Sequence, residues 1–309
     1  MVAAMVEATH VSVDLDGIGC YHAIHGLRPP VGPGSDAALR RCLPRFLEIF
    51  AKFGVRATFF VIGADLRREL DTDGAGVGFL RDALAAGHEL ANHSYAHRYD
   101  LVRATEAAMH EDVSHCDRVL RELGAVPRGF RAPGYTHDER MLAAVAAAGY
   151  QYDSSALPSP TYYLAKLAAI GWHHLRGRHS QSLVHGAGSF LGQRVAHVDR
   201  KSGLVELPIS TFGPLRLPLV GTFLLAGPGV VRRALRRGIE TSAAVHLELH
   251  ALDLVDETAD GIDPALARVQ PELRAPLELR RERLAEFLAE RGHYSRLCDA
   301  AAQVSRQPR

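Results

Sequence analysis

Cysteine is scarce in this chain of 309 residues. Cys20, Cys42, Cys116 and Cys298 form no Cys-x-x-Cys pair, which argues against a disulfide framework or a thiolate metal cage and fits a reducing compartment. Charge of one sign is lacking too. Thirty-six Lys and Arg residues face 35 Asp and Glu, without a basic run, so nucleic acid is not an expected partner. The longest apolar stretch, 217–231, is broken by Pro218, Gly221, Gly227, Pro228 and Gly229, and reads as no transmembrane helix. The segment 1–9 contains Glu7 and has no basic flank before an apolar core, so no secretory signal is expected. A cytoplasmic location follows, with the membrane surface as its one extension.

What is present suits one large buried core, since 47% of the residues are hydrophobic. One domain is expected over 1–309, with a motif-bearing core at about 10–255 and a helical extension at about 262–300. Strand-like segments at 11–14, 55–63, 204–209 and 243–250 alternate with helical periods at 78–86, 105–123, 138–148 and 276–290, the pattern of βα units around a parallel sheet. An apolar stripe from Leu39 to Phe53 contains Pro44, which either opens a helix at its first turn or marks a kink between two. The segment 158–199 reads as a long loop over the barrel mouth.

Two histidines four residues apart, His93 and His97, follow a strand-like segment ending in Asp14-Leu15-Asp16-Gly17. On a helical turn such imidazoles share one face, and a carboxylate from a neighbouring strand supplies a third metal ligand. Three protein ligands leave a position open, where water binds and loses a proton near neutral pH. Each acidic, histidine or arginine motif lies just past the carboxyl end of an expected strand, where α/β barrels gather their reactive groups.

The ordered set Asp-x-Asp-Gly, Ala-Thr-Phe-Phe-Val, Asn-His-Ser-x-x-His, Phe-Arg-Ala-Pro-Gly-Tyr, Tyr-Asp-Ser-Ser, Glu-Leu-Pro and Leu-His-x-x-Asp, spread over 11–253, resembles the polysaccharide deacetylase superfamily. That superfamily is also called the nodulation-protein-B homology domain or carbohydrate esterase family four. The Asp-x-Asp spacing resembles the branch of the lipid-linked formamido-arabinose deformylase and peptidoglycan deacetylase-like proteins. The resemblance implies a distorted (β/α) barrel of about seven parallel strands. It implies that Asp16, His93 and His97 bind a divalent metal, usually zinc, that Asp14 is the general base, and that Arg131 orients it. It also implies that the backbone N–H of Tyr135 donates to the oxyanion, although Gly134 departs from the shorter family pattern and Tyr135 then reads equally as an aromatic wall.

Two histidines compete for the acid that protonates the leaving amine. Strand alternation puts His246, Glu248 and His250 on one face. His250 ends the strand, matches the terminal motif and precedes Asp253, an acidic neighbour suited to orient its imidazole, whereas His246 reads as packed behind it. Asp153 resembles a supporting residue that acts through its hydrogen bonds. His22 and His25 read as solvated loop histidines, and His173, His174, His179 and His185 as incidental.

The implied activity is metal-dependent hydrolysis of an N-acetyl or N-formyl group from an amino sugar or its glycan or lipid conjugate. The alternatives are an amidase acting on a cyclic amide and an inactive glycan-binding barrel. The apolar stretch 204–231 reads first as core and second as a peripheral membrane contact, with Arg216, Arg232, Arg233, Arg236 and Arg237 facing phosphates. The oligomeric state is not legible.

Overall fold

A computed structural model describes residues 8–185, 190 and 192–306. Residues 1–7, most of the segment read for a secretory signal, lie outside the described residues, as do 186–189 and 191 of the expected excursion. The strands are β1 (Ala8–Asp14), β2 (Thr58–Val61), β3 (Glu89–Asn92), β4 (Gly129–Phe130), β5 (Tyr152–Asp153), β6 (His197–Val198), β7 (Val205–Glu206), β8 (Thr211–Phe212), β9 (Leu217–Pro218) and β10 (Ala244–His250). One sheet runs in the order β10-β1-β2-β3-β4-β5-β7-β6. All its pairings are parallel except β6 with β7, so seven parallel strands carry one antiparallel edge. The chain between β7 and β10 spans the remaining gap. Ser210 N–H donates to the His246 carbonyl at 3.2 Å and Glu248 N–H to the Leu219 carbonyl at 3.1 Å, which makes the sheet an open barrel.

Alternation along the strands sorts side chains into two layers. Val11 and Val13 of β1, with Val245, Leu247 and Leu249 of β10, belong to the large apolar cluster that also contains Leu43, Phe46 and Phe50 of the helix Leu43–Phe53. Ser12, Asp14, His246, Glu248 and His250 form the other set. β1 and β10 pair with Ser12 opposite Glu248 and Asp14 opposite His250, so two carboxylates and an imidazole end side by side at the carboxyl edge.

Several boundaries follow local chemistry. Gly54, at φ 63°, ends the helix Leu43–Phe53 in the left-handed conformation that glycine tolerates. Pro44 sits in that helix's first turn, after a wide turn at Ala38–Cys42, as the first reading of the stripe has it. Thr105 and Asp138 cap the helices Glu106–Leu123 and Glu139–Ala147 through their side-chain oxygens. The helix Gly63–Asp71 was not expected.

The segment 158–199 is not a continuous loop. Ser159 accepts the N–H of Tyr162 and Pro160 occupies the first helical position, which starts the helix Pro160–Leu175. Within 204–231, Phe212, Leu219, Val220, Leu224 and Leu225 are buried, and Arg236 pairs with Glu286 and Glu290 at 3.5 and 3.2 Å. This stretch is mainly core. Beyond β10 the chain packs back on the barrel. The buried Arg280 donates to the carbonyls of Leu252, Asp253 and Val255, and the helix Leu297–Ser305 presents its first N–H groups to Thr58 and Glu89. No helix among the described residues is long and apolar enough to cross a membrane.

Candidate metal centre and its flanking acid and base

The two histidines do not lie on a helical turn. Residues 93–97 are a loop with Ser94 at φ 66° and His97 at φ 49°. Side chains satisfy its backbone: Asn92 Oδ1 accepts Ser94 N–H at 2.8 Å, Asp112 accepts Tyr95 and Ala96 N–H at 2.9 and 3.1 Å, and Ser94 Oγ accepts His97 N–H at 3.1 Å. Local side-chain acceptors of this kind outcompete the helical ladder. The loop still brings the rings together, with centroids 4.9 Å apart.

Asp16 Oδ1 lies 3.2 Å from His93 Nε2 and 3.1 Å from His97 Nε2. All three side chains are buried, yet Asp16 Oδ1 and His97 Nε2 make no hydrogen bond. Tetrahedral zinc bonds of about 2.0–2.2 Å separate neighbouring donors by about 3.3 Å, so the three atoms fit one small divalent ion. His93 is turned for that purpose. Its Nδ1 lies 2.8 Å from the Arg131 carbonyl, which fixes the proton there and leaves Nε2 as donor atom.

Electrostatics agree with this fit. Burial pushes the Asp16 carboxyl up, but His97 and His93 outweigh it and hold it well below the usual carboxylate range. Burial pushes His97 down, and Asp16 reverses this, raising it to about 10; His93 is likewise raised against burial, by Asp14 and Asp16. A divalent cation between neutral imidazoles carries the same charge as those two imidazolium protons.

Asp14 stands alongside. Its Oδ2 is 3.7 Å from His93 Nε2, while its Oδ1 accepts Arg131 Nη1 at 2.6 Å. Arg131 is 0% exposed. It donates further to Ser154 O at 2.9 Å, Ser154 Oγ at 3.0 Å and Ser12 Oγ at 3.0 Å, and stacks 4.1 Å from the Phe60 ring centre. One residue therefore orients both halves of the site, His93 through its carbonyl and Asp14 through its guanidinium. Asp153 accepts Ser155 N–H and Oγ–H, and Ser155 Oγ accepts Ala132 N–H, which ties down the loop after Arg131.

His250 Nε2 points to the same centre, 3.9 Å from Asp16 Oδ2. Its Nδ1 lies 3.0 Å from Glu248 Oε1. The Asp253 carboxylate does not orient the imidazole: its Oδ2 accepts the backbone N–H of His250 at 2.8 Å, because the turn after β10 folds that carboxylate back onto the strand end, and it is the backbone N–H of Asp253 that meets the His250 side chain. Glu248 takes the orienting place, and the period-two alternation of β10 was the signal for it. Burial lowers His250, but Glu248, Asp16 and Asp14 together outweigh it and raise it to about 9, which favours the charged imidazole. Burial likewise pushes the Glu248 carboxyl up.

His246 lies one pleat deeper, away from the ion site. Its Nε2 meets Ser12 Oγ at 2.9 Å and its Nδ1 faces the Pro208 carbonyl at 3.2 Å; burial and Arg131 hold it well below its usual value, hence neutral. The backbone N–H of Tyr135 donates to the Ala132 carbonyl at 3.0 Å, so it is not a free oxyanion donor in this geometry. The Tyr135 ring is an aromatic wall, edge-on to His250 and Tyr162 at 6.4 and 5.8 Å. His25 is not solvated but lies 3.1 Å from His173 and 2.6 Å from Gln270, and His22 meets the Arg28 carbonyl at 2.5 Å.

An open α/β barrel with an Asp-His-His donor set at its carboxyl edge, flanked by a carboxylate and a second histidine, defines the class of the site. Residues 26–152 match the polysaccharide deacetylase family model. The match includes His93, His97 and Arg131, while Asp14, Asp16 and His250 join them only through the strand order. A chitooligosaccharide deacetylase of Bradyrhizobium sp. (strain ANU 289) is 36% identical over 131 residues, 42% of this chain and 56% of that protein. A peptidoglycan-N-acetylglucosamine deacetylase of Bacillus cereus is 25% identical over 108 residues, 35% of this chain and 47% of that protein. The chain thus spans about half the length of the curated relatives it matches. A solved candidate polysaccharide deacetylase from Mycobacterium smegmatis shares the fold, with a TM-score of 0.56 at 20% identity over 96% of this chain and 90% of that one.

Proposed function

We propose that this protein is a divalent-metal-dependent hydrolase, built as one catalytic unit, that removes an N-acetyl or N-formyl group from an amino sugar or its glycan or lipid-linked conjugate in the cytoplasm. The observation that carries the reading is the meeting of Asp16, His93 and His97 at one point, with Asp14 and His250 beside it. The family match over 26–152 and the likeness to a chitooligosaccharide deacetylase support an amino-sugar amide as substrate. The Asp14-x-Asp16 spacing supports the formyl-removing branch.

Asp16 Oδ1, His93 Nε2 and His97 Nε2 hold the ion, for which a nitrogen and oxygen donor set of this size favours zinc. A divalent ion there supplies positive charge opposite the developing oxyanion and lowers the pKa of water. Asp14, oriented by Arg131, accepts the proton of the attacking water. His250, whose charged form Glu248 favours, gives its proton to the nitrogen of the departing amine as the carbon–nitrogen bond breaks. Glu248 and Arg131 act through these two residues, and the rings of Tyr135 and Tyr162 wall the site.

Zinc-loaded protein assayed against N-acetylated and N-formylated amino sugars, free and lipid-linked, with released acetate and formate quantified, tests the proposal. Hydrolysis is expected for one class, and Asp14→Asn is expected to retain zinc while losing about 10²–10⁴-fold in kcat. Turnover undiminished in Asp14→Asn removes Asp14 as base; absence of both products from every substrate removes the amide-hydrolase reading.

A further inference from the structure

The helix Pro160–Leu175 is turned inside out relative to an ordinary surface helix. Tyr163 and His173 are buried and Lys166 half-buried on its inner side, whereas Leu164, Leu167, Trp172 and Leu175 are 62%, 46%, 54% and 81% exposed. Positions 164, 167, 168, 171 and 175 recur at helical spacing and share one face, with Trp172 at its flank. A soluble helix places its charges on that side. This one has none there.

Composition points the same way. Between Asp153 and Asp199 the sequence contains no aspartate or glutamate, yet it contains Lys166, Arg176, Arg178 and Arg194. The Arg176 guanidinium stacks 4.3 Å from the Trp172 ring centre, which puts a cation at the border of the apolar face. Exposed leucines, a tryptophan at the edge and cations without anions are the chemistry that an anionic lipid surface complements.

The inner side of the same helix reaches the rim of the metal centre. Tyr162 packs edge-on to Tyr135, and Lys166 Nζ donates to the Gly134 carbonyl at 3.0 Å. Beneath the helix a pocket of about 250 Å³ is lined by Ile170 together with Ile24, Val220 and Phe223.

We propose that the outer face of Pro160–Leu175 is a membrane-contact surface that seats the protein on an anionic phospholipid bilayer next to the mouth of the barrel. The helix lies in the interfacial plane, with Leu164, Leu167 and Leu175 among the acyl chains and Arg176 and Arg178 at the phosphates. This surface differs from the 204–231 stretch considered on sequence grounds, most of whose large apolar side chains are packed inward. It stands independently of whether the site hydrolyses an amide.

Trp172 is the only tryptophan of the chain, so intrinsic fluorescence reports this face alone. The full-length protein is titrated with phosphatidylcholine vesicles and with vesicles of phosphatidylcholine and phosphatidylglycerol, following emission and co-sedimentation. A blue shift and co-sedimentation confined to the anionic vesicles and reversed by high salt are expected. Leu164→Glu/Leu175→Glu should abolish both signals, and Arg176→Glu/Arg178→Glu should weaken binding by at least about tenfold. Emission unchanged by anionic vesicles, or binding indifferent to both double substitutions, overturns the proposal. A concentration-dependent dimer in sedimentation velocity that Leu164→Glu dissociates also overturns it, since the face is then buried against a second copy.

Discussion

Arg131 and Glu248 decide how the reactive side chains are held. Arg131 lay in a recognisable Phe-Arg-Ala-Pro-Gly motif, but its double duty toward His93 and Asp14 depends on β1, β3 and β4 ending at the same mouth of the barrel. Glu248 was visible only as one of three polar residues on a face of β10. The assignment of Asp253 failed because sequence proximity ranked it first, while the turn after β10 gave its carboxylate to a backbone N–H. Glu248→Gln is expected to lower kcat by roughly 10–100-fold with little change in KM, by analogy with losses on removing an orienting partner. Activity requires protonated His250, so it declines as pH rises through the His250 value, which Glu248 helps to raise. Removing the carboxylate that raises this value moves the alkaline limb to lower pH, and a kcat–pH profile with an unmoved limb would show that Glu248 does not tune His250.

At the scale of elements, helices with strong caps and apolar stripes were legible, including Glu106–Leu123 and Glu139–Ala147. The loop at 93–97 was not, because three side-chain acceptors from Asn92, Ser94 and Asp112 replace the helical bonds, and Asp112 arrives from the following helix, Glu106–Leu123. Strand β4 depends on a bare glycine. A Cβ at Gly129 would lie 1.8 Å from Cζ of the fully buried Tyr152, so Gly129→Ala should destabilise the fold by about 1–3 kcal/mol, measured by urea denaturation.

Just before β3, His88 Nδ1 accepts the N–H of Ala57 at 3.0 Å, which requires a neutral ring; burial, helped by Arg296, pushes it down to about 4. The unfolded chain takes up that proton near pH 6.5, so between about 6.5 and 4 the unfolded state binds more protons and stability falls with pH, by up to roughly 3 kcal/mol. Denaturation midpoints of His88→Leu followed over this range should show a shallower pH dependence than the unsubstituted protein. Equal slopes would count against the assignment.

For the molecule as a whole, the metal site joins the carboxyl ends of β1 and β3, held by a carbonyl from the loop after β4. An ion that binds only this assembled state stabilises it by mass action: at free zinc about 100-fold above Kd the gain is about 2.7 kcal/mol, or roughly 5 °C in Tm. Calorimetry with zinc against EDTA checks this, and the gain should vanish in His97→Ala. The same Tm with and without zinc would show that the three groups hold no ion.

By itself the sequence determined the βα alternation, the residue types able to bind a metal and move protons, and the apolar positions that face the helices, because periodicity and side-chain chemistry are local properties. Only the tertiary structure decided which imidazole nitrogen faces Asp16, that Glu248 partners His250, and that the leucines of Pro160–Leu175 remain outside. Those outcomes depend on parallel register and on acceptors brought from distant segments, and neither is encoded within any single stretch of the chain.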